Sequence, residues 1–364
     1  MKSFYACDLC DSKKIEFVYK PVKSKRKLNV YICLECGLVQ SFPKVDKAVY
    51  GTPEVSGNAN WGNIRYGKSF RTSHDLKLIG SYCDIKLIRT FLDVGFNRGS
   101  FYNEFAKINN HVEYWGIEPD SRIIENKFDD KEIKLINKRL EKVELPNNYF
   151  DFIYCSHTLE HLKSPAKSIS QLFSSLKEKG LFYIEVPNIE VISSPDILEE
   201  FFIDKHLYHF GIKNLMNYLN KFGLKAVYIS DNHQKLNISI LLRKSHLLKG
   251  KEKQNNYLVN NKLISNYKQK TLENNIKLKS VGDFLNQRSN KHKIVIWGAG
   301  RLFDRLIVVG GLKPINVFRL VDTYLVDYVK FVHGKKVNSP KVLMGEKIDT
   351  VIVCSREYFF EINK

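Results

Sequence analysis

Four cysteines and a glycine-punctuated turn carry the chemistry that can be read most directly from this chain. Cys7 and Cys10 form one C-x2-C pair and Cys33 and Cys36 a second, with 22 residues between the pairs. Each pair turns so that both thiolates face one ion, and Gly37 supplies permissive backbone directly after the second. Four thiolates close a tetrahedral shell and leave no position for water, so the expected metal is a structural Zn2+. Seven cysteines in all is an odd number for a disulfide framework, which also favours metal. Reduced cysteines buried in a small core are the competing reading.

The second signal is Phe91-Leu-Asp93-Val-Gly95-Phe-Asn97-Arg-Gly99, an apolar strand running into a glycine turn and then a helix-like segment through Ala106. Such a turn brings backbone N–H groups and a helix N-terminus up to a ligand. Asn97 stands at the middle position of the usual glycine trio, and Asn is the residue other than glycine that best tolerates positive φ. About twenty residues on, the strand Tyr114–Glu118 ends in an acid, where a carboxylate reaches ribose hydroxyls.

Leu145–Leu162, which includes Asp151, His157 and His161, and Gly180–Asn188 resemble the fourth and fifth strand motifs of class I S-adenosylmethionine methyltransferases. The resemblance implies that Asp93, Gly95, Asn97, Gly99 and Glu118 surround S-adenosylmethionine, with Glu118 on the ribose. It further implies that Leu140 lies against the adenine face and that His157 sits beside the methyl donor. A histidine that merely caps a helix start is the alternative for His157.

A third stretch, Phe201–Gly211, holds His206 and His209 and precedes an amphipathic helix ending at Gly223. It should lie near the C-terminal edge of the sheet, where doubly wound folds keep their chemistry. A base near neutrality suits deprotonation of a hydroxyl or of a carbon next to a carbonyl. His206 is the expected catalytic base; His209, three residues on, is the fallback if the loop begins the helix there.

Residues 246–292 carry ten Lys and Arg, three Asp and Glu and nine Asn, and read as an exposed, basic helical connector. Strand–glycine–helix patterning then resumes at Lys293–Arg301 with Gly298 and Gly300, an acid at Asp322 ends the next strand, and Ile348–Cys354 is a third. Phe303 and Asp304 stand where the third glycine of a dinucleotide fingerprint would fall. With half of that fold present, NAD chemistry is not expected here.

The expected architecture is therefore α/β: a Rossmann-like class I methyltransferase core over 76–245, a zinc-binding module over 1–75, a helical connector over 246–290 and a smaller Rossmann-like domain over 291–364. As a whole it resembles the bacterial sugar C-methyltransferases acting on nucleotide-linked 4-keto-deoxysugars. Cys36–Gln40 and Gly334–Pro340 add to the likeness. In that family a Tyr-His-Glu-His stretch supplies the base; the matching positions are Ile203, Asp204, Lys205 and His206, so the final histidine is retained. The resemblance implies S-adenosylmethionine, structural zinc and a nucleotide-linked sugar acceptor, with C- or O-methylation both open.

The 364 residues carry a formal charge of +19, which suits an anionic partner. A nucleic-acid methyltransferase is the alternative enzyme, but the cysteine pairs lack the aromatic–basic stripe that stacks bases. A cofactor-binding scaffold without turnover is the alternative outside enzymes. No uncharged apolar run approaches the ~18 residues of a membrane span, and the first residues lack a signal-peptide core, so a cytoplasmic protein is expected.

Overall fold

The computed structural model describes residues 5–21, 24, 26–44, 68–97, 99–120, 133–194, 200–230, 236–245, 255–327, 329–355 and 362. They divide between two compact units, one of Met1–Ala48, Gly67–Ser194 and Phe202–Ser265, the other holding Asn266–Lys364.

The first unit opens with β1 (Ile15–Tyr19), β2 (Asn29–Cys33) and β3 (Val39–Phe42), an antiparallel meander. Next come α1 (Lys68–Gly80), β4 (Thr90–Val94), α2 (Ser100–Phe105), β5 (Glu113–Ile117), β6 (Ile133–Ile136), β7 (Phe150–Ser156), α3 (Pro165–Ser175) and β8 (Leu176–Pro187). The two-residue β9 (Tyr208–His209), α4 (Ile212–Lys221), β10 (Leu224–Ile229) and β11 (Asn237–Lys244) complete the strands. Seven of them form one sheet in the order β10-β11-β8-β7-β4-β5-β6, parallel from β8 to β6 and antiparallel at β11 and β10.

The central strands are apolar on both faces because helices cover both. Along β4, Phe91 packs with Phe101, Phe105, Tyr114 and Phe152, while Leu92 and Val94 join the opposite core with Ile153 and Leu172. Chain order reverses between β4 and β7: β5 and β6 build out one side of β4, and β7 returns to the other. The crevice at the C-terminal ends of these two strands is where such sheets bind ligands.

The N-terminal meander belongs to this same unit. Val39 and Gln40 of β3 pair with His209 and Tyr208 of β9, and Cys7, Leu9, Cys33, Cys36 and Leu38 share one core with Phe210, Leu215 and Tyr218. The Asp8 carboxylate accepts from Ala166 N at the start of α3, 2.9 Å, and from the Tyr218 hydroxyl, 3.1 Å.

The helix α5 (Tyr257–Arg288) follows. It is more than an exposed connector: Ile264, Tyr267, Leu278 and Leu285 are buried. Thin periodicity in the sequence hid them, because the buried positions fall in two separate groups, 260–267 and 278–285, each including a non-apolar residue, Asn260 or Gly282. In the second unit Leu278 and Leu285 share a core with β12 (Ile294–Trp297), α6 (Arg301–Val308) and β13 (Arg319–Val321). The hairpin β14 (Phe331–Val332) and β15 (Lys335–Asn338) and the strand β16 (Thr350–Val353) complete a sheet ordered β14-β15-β13-β12-β16. No helix among the described residues is long and apolar enough to cross a membrane.

Candidate active site

The glycine turn after β4 has the backbone its residues permit. Gly95, Asn97 and Gly99 all have positive φ, at 86°, 51° and 66°. A Cβ on Gly95 would lie 2.0 Å from Oγ1 of Thr158, which itself donates to the Val94 carbonyl at 3.0 Å. The turns after β4 and β7 thus touch at the point where strand order reverses, and only glycine allows it.

Glu118 faces this turn from the end of β5. Its Oε2 accepts from Asn97 N at 2.9 Å and its Oε1 from Asp120 N at 3.0 Å. These two backbone bonds fix the carboxylate at the mouth of the turn. Glu118→Ala is expected to weaken S-adenosylmethionine binding by roughly 1–3 kcal/mol. Calorimetry checks this, and unchanged affinity would mean that the acid does not meet the ribose.

Two expected cofactor contacts are placed differently. Strand alternation turns Asp93 onto the face of Phe91, where it is buried beneath the turn and accepts from the Tyr114 hydroxyl at 2.7 Å. Leu140 opens a 3₁₀ turn but is only 2 % exposed, sharing the core with Val143 and Leu159, so it presents no face for a ring to lie on.

After β7 the chain bends sharply, with His157 at φ 51°. The ring of His157 stands between two carboxylates, Nδ1 at 3.5 Å from Glu160 Oε1 and Nε2 at 3.1 Å from Glu185 Oε1. It does not act as a helix cap. Glu160 is 1 % exposed. Its Oε1 also lies 3.7 Å from His161 Nε2 and 3.9 Å from His206 Nε2. His206 therefore reaches the C-terminal edge of the sheet beside the residues that follow β7. Its loop is tied there by Leu207 N donating to the Glu160 carbonyl, 2.8 Å, and by Ser41 N of β3 donating to the Leu207 carbonyl, 2.8 Å. Asp204 accepts from the Ser24 hydroxyl and from Arg26 N. The N-terminal meander is thus the clamp on the His206 loop.

Burial, and secondarily the proximity of His161, holds the His206 pKa well below the usual imidazole value. Burial lowers His161 as well. Burial opposes the charged form of His157 too, but Glu160 and Glu185 outweigh it and raise that pKa. The two carboxylates thus favour the charged form of His157, while burial disfavours it at His161 and His206. Behind Glu185, the Tyr154 and Tyr183 hydroxyls both donate to Asp75, each at 2.9 Å, and burial with the nearby Glu185 pushes Asp75 up to about 6.

His209 is held differently. At 2 % exposure, it pairs within β9, its Nε2 is 2.8 Å from Ser41 Oγ, and its ring packs edge-on against Phe202. The loop enters a strand here rather than a helix, and burial pushes the His209 pKa down to about 3 although Glu160 is near enough to act against it. Glu160 and His161, by contrast, were not singled out in the sequence. The signal available was an acid and a histidine inside an apolar turn, between Leu159 and Leu162, directly after a core strand.

The four cysteines converge as their spacing predicts. One sulfur from each lies within 4.8 Å of the others, with Cys7 and Cys36 Sγ 3.5 Å apart and Cys10 and Cys33 Sγ likewise. Sulfurs at about 2.3 Å from a tetrahedral Zn2+ are about 3.8 Å apart, so this donor set fits the ion. Around it, Asn214 Nδ2 donates to the Cys36 carbonyl at 3.0 Å and Asn260 Nδ2 to the Gly37 carbonyl at 2.8 Å. Gly37 has φ 73°, and a Cβ there would meet Asn256 C at 2.4 Å.

Residues 70–229 match the family model of a methyltransferase domain. This segment is a methyltransferase domain. Residues 290–364, beyond the methyltransferase domain, match a model described as C2185-like, N-terminal. No curated protein matches the chain. Among solved structures, it is similar to an S-adenosylmethionine-dependent methyltransferase from Mesorhizobium loti at 15% identity, covering 46% of this chain and 96% of that one, TM-score 0.40. A SAM-dependent methyltransferase from Aquifex aeolicus is similar at 17% identity, 48% and 90% coverage and TM-score 0.38. The plantazolicin methyltransferase BpumL, solved with a triazolic desmethyl analogue and SAH, is similar at 15% identity, 51% and 89% coverage and TM-score 0.44.

Proposed function

We propose that this methyltransferase moves the methyl group of S-adenosylmethionine onto a sugar carried on a nucleoside diphosphate, with a structural zinc in the four-cysteine site. One observation carries the reading. The cofactor-facing turn, with Glu118, and the Glu160–His161–His206 cluster stand at the C-terminal edge of one sheet, on either side of the point where strand order reverses. A cofactor anchored by its ribose at Glu118 would direct its sulfonium toward the residues after β7. The transfer is a displacement at a sulfonium carbon, so the protein mainly orients donor and acceptor and removes the acceptor's proton. His206 and its two neighbours are the groups available for that.

The sugar assignment is supported by the whole-chain resemblance and by the +19 charge, which suits a pyrophosphate-bearing acceptor. Carbon methylation next to a ketone and oxygen methylation of a hydroxyl both need the acceptor's proton removed. Mass spectrometry of products from a panel of nucleotide-linked sugars tests the reading; transfer to an oligonucleotide instead would replace it.

The second glycine turn is expected to bind no dinucleotide. Phe303 is fully buried at the position of the missing glycine. The two oxygens of Asp322 take three backbone N–H groups: Ala299 on Oδ2, Tyr324 and Leu325 on Oδ1. A fluorescence titration with NADH checks this, and saturable micromolar binding would contradict it.

A further inference from the structure

We infer that Glu160, His161 and His206 hold a divalent first-row transition-metal cation, at a site distinct from the four cysteines. One ligand atom from each of the three residues lies within 4.8 Å of the other two. Ligands about 2.0–2.1 Å from a tetrahedral cation are about 3.4 Å apart. The measured 3.7 and 3.9 Å from Glu160 Oε1 to the two Nε2 atoms are too long for hydrogen bonds and need to close by only a few tenths to enclose an ion.

The carboxylate itself is the independent observation. Glu160 is 1 % exposed, and among the described residues neither of its oxygens has a hydrogen-bond partner. A buried ionised carboxylate without hydrogen bonds is costly unless a cation compensates it. His157 Nδ1 lies 3.5 Å from the same Oε1, so three imidazoles converge on this one carboxylate oxygen, His161 and His206 through Nε2. His161 is already set for ligation: its Nδ1–H donates to the Lys205 carbonyl at 2.7 Å, which fixes the tautomer and leaves the Nε2 lone pair toward Glu160. Metal-binding histidines are commonly held in this way by their second nitrogen.

Two imidazoles and one carboxylate suit Fe2+, Mn2+, Co2+ or Zn2+ and leave coordination positions open, unlike the closed thiolate site. An open position would take an oxygen of the acceptor, a role that rests on the methyl-transfer reading proposed above; the binding of the cation does not. In that arrangement His206 is a ligand through Nε2 rather than a free base.

The test uses full-length protein whose thiolate site is filled with zinc, titrated with Co2+ and followed by visible absorption. The expected result is saturable uptake of one Co2+ per chain, with d–d bands but no thiolate-to-cobalt charge-transfer band. Glu160→Gln and His206→Asn should each weaken uptake by about 10-fold or more, while circular dichroism and bound zinc stay as in the wild type. Because the wild-type titration needs no variant, a folding defect in either one cannot hide the answer. No Co2+ uptake beyond the thiolate site, or uptake undiminished in both variants, would overturn the inference. Undiminished methyl transfer after a chelator has left only the thiolate-bound zinc would overturn the cation's role toward the acceptor and return His206 to the role of base. Uptake of Co2+ without transfer to any acceptor would support the site and count against the methyl-transfer reading.

Discussion

Cys33→Ser protein is expected to be purified without zinc and to lose the cooperative unfolding transition of the first unit. Cys33 is fully buried and shares a core with Leu38, Phe210 and Tyr218, so its site lies inside the methyltransferase core rather than on an appended knob. Structural zinc contributes about 10 kcal/mol or more of binding free energy to folding, comparable to the whole stability of a domain. The loss also reaches the chemistry. The β3–β9 pairing and the Ser41–Leu207 bond hold the His206 loop in place, and both stand on the meander that the cysteines organise. Scanning calorimetry with metal analysis measures the effect. A metal-free wild type with an unchanged transition would show that the cysteines are merely packed.

His206→Ala should lower kcat by about 10²–10⁴-fold, whether the ring takes the acceptor's proton itself or holds the cation that polarises the acceptor, with the Kd of S-adenosylmethionine unchanged. The ring is 17 % exposed and faces Glu160, and among the described residues no hydrogen bond connects it to the glycine turn or to Glu118. Removing it therefore disables the acceptor side alone. Single-turnover kinetics with isothermal calorimetry separates the two. Retention of most activity would move the task to His161, whose side chain is 34 % exposed.

What was legible in the chain was local. The C-x2-C pairs, the positive-φ positions of the glycine turn and the acid at the end of β5 are separated by few residues, and each is read from backbone geometry alone. The cluster around Glu160 was not legible, because His206 reaches it through a loop fixed by Ser24, Arg26 and Ser41, more than 150 residues away in sequence. A two-residue strand such as β9 is too short to show any periodicity, which is why His209 read as a helix start. Leu140 was misplaced for a different reason. A leucine after a strand end can wall a ligand or close the core, and only burial distinguishes them.

The most direct measurement is incubation of the enzyme with methyl-labelled S-adenosylmethionine and a panel of nucleoside-diphosphate sugars, in both 4-keto and 4-hydroxy forms, followed by mass spectrometry. The expected result is a labelled product one methyl group heavier than a single sugar nucleotide, formed with stoichiometric S-adenosylhomocysteine and abolished by His206→Ala. Cofactor bound at the Glu118 turn, with no label transferred to any sugar nucleotide, would contradict it.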